Sequence, residues 1–140
     1  MYKVYLAIPR AFDKLLGHVN EDGKVYLSKV GFDEHLGEVD LSSGKVYAAR
    51  LGPDKEIGHV DLKSGKVYLR RLGPDEYVGK VDKHGRMHQH VPMASDKYIG
   101  KVDRFVSYAY SAGAMLLLVL PALGSKSQSA ESDQDGGVSG

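Results

Sequence analysis

Apolar and polar residues alternate along this chain in short runs, and the runs repeat. Tyr2–Ile8 sets Tyr2, Val4, Leu6 and Ile8 against Lys3, Tyr5 and Ala7. Period-two alternation in a run rich in Val, Tyr and Ile predicts a strand. A five-residue figure, apolar-Gly-x-Val-Asp/Asn, then stands at Leu16–Asn20, Leu36–Asp40, Ile57–Asp61, Val78–Asp82 and Ile99–Asp103. Successive copies start 20 or 21 residues apart. A second figure, Gly-Lys-Val-Tyr, answers it at Gly23–Tyr26, Gly44–Tyr47 and Gly65–Tyr68. The first figure predicts a short strand and the second a return strand, here Lys24–Val30, Lys45–Leu51 and Lys66–Leu72. Between them lie tight turns that close on Gly23, Gly44, Gly65 and Gly85, glycine supplying the positive φ that a hairpin wants. Gly52-Pro53-Asp54 and Gly73-Pro74-Asp75 read as turns between units, because proline presets φ and cannot sit in a central strand.

The pattern is incomplete at both ends. Lys3-Val4-Tyr5 is a second half with no first, and Ile99–Asp103 is a first half with no second. If Ile99–Asp103 pairs with Tyr2–Ile8, a fifth unit is completed and the open edges vanish. The expected fold is all-β: five hairpin repeats of about 21 residues closing into a ring or barrel. One segment stands apart. Phe105–Leu123 is 19 residues without a charge, rich in helix formers from Ala109 to Leu120 and ended by Pro121. The expected division is a repeat domain over 1–104, an apolar C-terminal helix over 105–123, and a disordered polar tail over 124–140, which is rich in Ser, Gly and Asp.

Composition narrows the functional classes. The 140 residues carry 19 basic and 18 acidic side chains, net charge +1, with no concentrated basic run, so a nucleic-acid partner is not expected. No cysteine is present, which removes disulfides and thiolate chemistry. Met1–Tyr5 opens directly into a strand-like run with no secretory signal, and the expected location is the cytoplasm, with membrane association as the alternative.

The two figures together resemble the bacterial β-flower proteins of four-fold or five-fold kind, whose units have the form Ile-Gly-x-Val-x…Asp-Gly-x-Val-Tyr. Several of these end in an apolar run like Ala112–Leu120. The resemblance covers roughly residues 2–120 and implies a ring of short hairpins with no catalytic residues. The His-rich fourth unit and the polar tail depart from that pattern.

Recurrence also sorts the candidate chemistry. Asp40, Asp61, Asp82 and Asp103 could ring a cation, but each sits between strand and turn, where aspartate caps backbone amides. Tyr5, Tyr26, Tyr47 and Tyr68 form a stripe best explained by strand packing. His84, His88 and His90 break the repeat. His88 and His90 stand two apart on one strand, a spacing that grips zinc, copper or nickel if a third ligand such as His84 joins them. No Gly-x-Ser-x-Gly, P-loop or Gly-x-Gly-x-x-Gly occurs, so no enzyme and no cofactor are expected.

The apolar run admits two readings. As a tail anchor, Phe105–Leu123 nearly reaches the roughly 20 residues that span a bilayer. As a buried helix, its strongly apolar part, Ala112–Leu123, has the length of a core element. A small ring of hairpins is expected to cover only one face of such a helix. The other face then calls for a partner copy. The expected function is therefore a non-enzymatic structural or interaction module, a dimer or trimer joined through Met115, Leu116, Leu117, Leu118, Val119 and Leu120. A membrane-attached protein and a ligand- or metal-binding barrel are the alternatives.

Overall fold

A computed structural model describes residues 1–124. Ten strands follow in order: β1 (Tyr2–Leu6), β2 (Lys14–Val19), β3 (Lys24–Lys29), β4 (Phe32–Val39), β5 (Lys45–Ala48), β6 (Lys55–Val60), β7 (Lys66–Leu69), β8 (Glu76–Val81), β9 (Arg86–Gln89) and β10 (Lys97–Val102). Each pairs antiparallel with its sequence neighbours, and β1 pairs with β10. The barrel is closed. At the seam Val4 faces Val102 and Leu6 faces Gly100. The seam is tied by Ala7 N–H to Ile99 O at 2.9 Å and Asp103 N–H to Lys3 O at 2.9 Å. The chain ends thus make the fifth unit that their sequences lacked.

Closure depends on one irregularity repeated five times. Val4 faces Gly17 while Tyr5 faces Leu15, so Leu16 is an extra residue in β2. The same slip leaves Leu36, Ile57, Val78 and Ile99 unopposed in β4, β6, β8 and β10. A β-bulge bends its strand and raises local twist. Five at equivalent places curl the sheet evenly, and all five are the apolar residue that opens the first figure. The return strands stop short of their expected ends, at Ala48 and Leu69, because the chain leaves the sheet ahead of each Gly-Pro-Asp turn.

The lumen holds the helix. α1 (Tyr108–Ala114) passes without a break into a π-helical stretch, Met115–Val119, and the helix continues to residue 124. Residues 111–119 are all buried. Two tiers explain the fit. Near the helix start, ten residues with at most 2% exposure, one per strand, form a girdle: Val4, Val19, Val25, Val39, Val46, Val60, Val67, Val81, Met87 and Val102. Small residues, Ala109, Ala112, Gly113 and Ala114, pass through it. A Cβ on Gly113 would lie 3.0 Å from Val39.

The next tier reverses the sizes. The glycine of each first figure leaves room that the helix fills. A Cβ on Gly17, Gly37, Gly58, Gly79 or Gly100 would lie 1.9 to 2.5 Å from a carbonyl oxygen of the next strand. Lumen-side contacts at four of these glycines fall to residues of the Met115–Val119 stretch. Met115 packs at Gly79, Leu116 at Gly58, Leu117 at Gly37 and Val119 at Gly100, while Leu118 borders Leu16 in the remaining unit. Each residue thus meets a different hairpin. An α-helix steps about 100° per residue, too far for five sectors. The wider i→i+5 turn, closed by Leu120 N–H on Met115 O, distributes five side chains around five units. Beyond them Leu27, Leu36, Ile57, Leu69, Leu120 and Leu123 pack, partly buried, against the core.

This placement corrects the reasoning about the helix. The barrel covers Met115–Val119 on every side, where one open face was expected, and Leu120 is half-buried. No described helix is long and apolar enough to cross a membrane. The tail expected over 124–140 lies outside the described residues except for Gly124.

Two outcomes test the packing. Gly58→Ala is expected to lower stability by about 1–3 kcal/mol, the cost of overpacking, whereas Gly124→Ala, with open space around it, is expected to leave the thermal midpoint unchanged. A chain ending at Arg104 is expected to lose cooperative unfolding, since its barrel has nothing to close upon. Calorimetry on the three chains reads both.

Candidate functional site

Topology gives the barrel two ends of different chemistry. The hairpin turns lie at the end where the helix enters, and they are polar. Asp40 Oδ1 accepts from Ser42 N–H at 2.9 Å, Asp61 Oδ1 from Lys63 N–H at 2.9 Å, and Asp82 Oδ1 from His84 N–H at 2.8 Å. Asp103 does the same for Lys3 across the seam at 3.1 Å. The recurrent aspartates are turn caps. Tyr110 locks the helix to this end, its hydroxyl donating to Glu21 O at 2.6 Å. The ring of Tyr110 meets Tyr2 edge-on at 5.0 Å.

The outer wall carries the aromatic stripe. Tyr26 lies between His18 and His35, with ring centres 5.1 and 5.3 Å away. Tyr68 lies between His59 and Tyr77 at 4.9 and 5.7 Å. These are neighbours on adjacent strands, half-buried except for the exposed His35, and they form packing ladders. The histidines face carboxylates. His88 Nε2 is 3.0 Å from Asp82, His59 Nδ1 3.4 Å from Asp75, and His90 Nδ1 3.9 Å from Asp96. His84 and His88 both contact Asp82, His84 through its backbone N–H, and His90 lies near Asp96; among the described residues no three His, Asp or Glu side chains converge to hold a metal.

The other end, where the helix emerges, is built from the five inter-unit loops. Each loop raises one large apolar side chain clear of the protein: Phe12, Val30, Leu51, Leu72 and Met93 are 96 to 103% exposed. Sequence reasoning missed them, taking Leu51 and Leu72 as strand ends. Parity was the available signal. Counting by twos from buried Val25, Val46 and Val67 puts Val30, Leu51 and Leu72 out of phase with the core. Gly31, Gly52 and Gly73 follow them with φ of 87°, 85° and 81°, the left-handed turns that throw the preceding residue outward. Charged residues flank every tip: Arg10 and Asp13, Lys29, Arg50 and Asp54, Arg71 and Asp75, Asp96 and Lys97.

Between the third and fourth loops the rim opens into a depression of about 1050 Å³. Ile57 and Leu69 line it, with Leu72 at its edge, and Arg50, Lys55, Arg70 and Arg71 stand around it with Asp54 and Glu56. A second groove of about 630 Å³ crosses the seam, between Tyr5, Tyr98, Arg86 and Lys101.

The turn caps carry a pH signature. Hydrogen bonds from Ser42 hold Asp40 below the usual carboxylate range, and the Lys63 amide does so for Asp61. At Asp82 burial pushes upward, but hydrogen bonds from His88, Arg86 and His84 outweigh it and the carboxyl is again lowered. A carboxyl lowered by folding contributes stability that is complete above its unfolded pKa and is lost as pH falls through the folded one. The barrel is expected to hold its stability down to about pH 4 and to lose it below. A chain with Asp40→Asn, Asp61→Asn and Asp82→Asn keeps the turns but not the titration. Its acid limb should be flatter in a series of thermal melts, and an unchanged limb would contradict the assignment. Comparison of the chain with protein-family models, with curated proteins and with solved structures finds no match.

Proposed function

We propose that this chain is a non-enzymatic docking module that rests on a lipid surface by its loop rim. One observation carries the reading: five loops at one end each present a single, fully exposed apolar side chain. Isolated apolar residues are ordinary on a protein surface, but five on the same rim, one per repeat, concentrate unburied area where it must be covered to be useful. Their spacing favours lipid over protein. A protein interface needs a contiguous apolar core with charge kept to its edge. Here every tip is separated from the next by charged neighbours, so a flat partner surface would have to bury those charges. A bilayer accepts separate insertions and leaves flanking Lys and Arg at headgroup level. Fully burying each tip is worth about 1.5–3 kcal/mol, enough in sum for reversible attachment.

The turn end supports the same orientation, since its aspartate caps present carboxylates and serines that belong in water.

Co-sedimentation with phosphatidylcholine vesicles tests the reading. The wild-type chain is expected to pellet with lipid. Phe12→Ser, Leu51→Ser, Leu72→Ser and Met93→Ser combined should abolish pelleting without lowering the thermal midpoint, because these side chains touch little. Sedimentation without lipid serves as the control: a wild-type dimer that the same substitutions split would make a second copy the occupant and overturn the lipid assignment.

A further inference from the structure

We infer that the depression between the third and fourth loops receives the phosphate of an anionic phospholipid headgroup, one with no choline cation to offset it, an inference that rests on the docking reading. The two loops bounding it are the only adjacent pair that share a sequence, Arg-Leu-Gly-Pro-Asp, at Arg50–Asp54 and Arg71–Asp75. The shared motif places an apolar tip directly after an arginine, twice, on either side of one hollow. The second, fifth and first loops carry Lys29-Val30-Gly31, Pro92-Met93 and Ala11-Phe12 at the corresponding points, without the motif.

The cations around this hollow are partly oriented already. Arg71 is held by two nitrogens on Glu76 Oε1, Nε at 2.9 Å and Nη2 at 2.7 Å. Arg70 Nη1 contacts Glu56 Oε1 at 2.8 Å. Arg50 donates through Nε to Pro53 O at 2.8 Å, which fixes the guanidinium plane and turns its two terminal nitrogens away from the backbone. A guanidinium fork matches phosphate oxygens in geometry as well as charge. Four cations stand around the hollow against Asp54 and Glu56, and Glu76 pairs with Arg71, which leaves an excess of one positive charge, with Arg50 and Lys55 the cations not held by a carboxylate.

The floor supplies the second requirement. A free anion gains nothing from Ile57 and Leu69, but a lipid whose phosphate sits among the arginines extends its glycerol and upper acyl carbons over apolar surface. Leu51 and Leu72, inserted on both sides, bring that lipid to the hollow. The ring of tips and the cationic hollow thus serve one ligand at two depths.

The experiment uses the full chain with three vesicle compositions: phosphatidylcholine alone, phosphatidylcholine with phosphatidic acid, and phosphatidylcholine with phosphatidylglycerol. Anionic lipid is expected to tighten binding about tenfold, the scale of two or more cations near an anionic surface. Arg50→Gln with Lys55→Gln should remove that gain and retain the phosphatidylcholine binding. Lys63→Gln with Lys66→Gln, an equal charge change at the opposite end, should keep the gain. If both pairs reduce it equally, the attraction is diffuse and the hollow is not a site. Equal binding of wild type to all three compositions would also overturn the hollow while leaving the docking reading intact. No binding to any vesicle removes both. Inorganic phosphate in excess is the last arm. It is expected neither to release bound chain nor to raise the thermal midpoint, and if it does either, the occupant is a free anion and the lipid assignment falls.

Discussion

A helix that is apolar all round must be covered on every side, and in this protein that requirement sets the form of each repeat. The cover is the chain's own barrel. Ten strands cannot approach a single helix closely unless the wall is thinned where the helix is thick. Gly17, Gly37, Gly58, Gly79 and Gly100 thin it. Where the helix is thin, at Ala109 to Ala114, ten apolar side chains thicken the wall instead. The π-helical turn completes the match by sending Met115 to Val119 into successive units. Repeats and helix are therefore one packing problem, and neither element has a stable form without the other.

Half of this was legible in the residues. The two figures and their spacing carry the hairpins because turn chemistry and period two are local properties, written within four or five residues. Closure was legible too, since Lys3-Val4-Tyr5 and Ile99–Asp103 are complementary halves. The position of the helix was not. Burial in a bilayer, in a partner or in its own barrel demands the same apolar composition, and Met115–Leu120 looks alike in all three. What distinguishes them is the size order, small residues at Ser111–Ala114 and large ones after, matched to valine and glycine tiers that only the three-dimensional register brings to the same height. Histidine spacing carries less than it promises: β9 ends at Gln89, so His90 lies just past the strand, and His88 and His90 face Asp82 and Asp96.

The division of labour around the barrel follows from the same economy. The inner face is committed to the helix and the outer wall to cross-strand ladders of Tyr, His and carboxylate. The turn end is held by aspartate caps. Among the described residues the loop rim carries the most exposed large apolar side chains. Functional variety in a repeat ring has room at the loops, because a change there disturbs neither girdle nor glycine tier.

The order of the chain adds a consequence for how the protein reaches this state. Its core element comes after every strand that surrounds it. While the strands emerge from a ribosome, the hairpin units can pair only edge to edge, with no helix to cover their apolar inner face, and a lone two-stranded hairpin is marginal in water. The seam strands β1 and β10 are also almost a hundred positions apart, so their pairing carries a large loop-closure cost. Unlike a linear repeat array, whose units add one by one, this barrel completes its core and its seam only with its last-made elements, β10 and the helix.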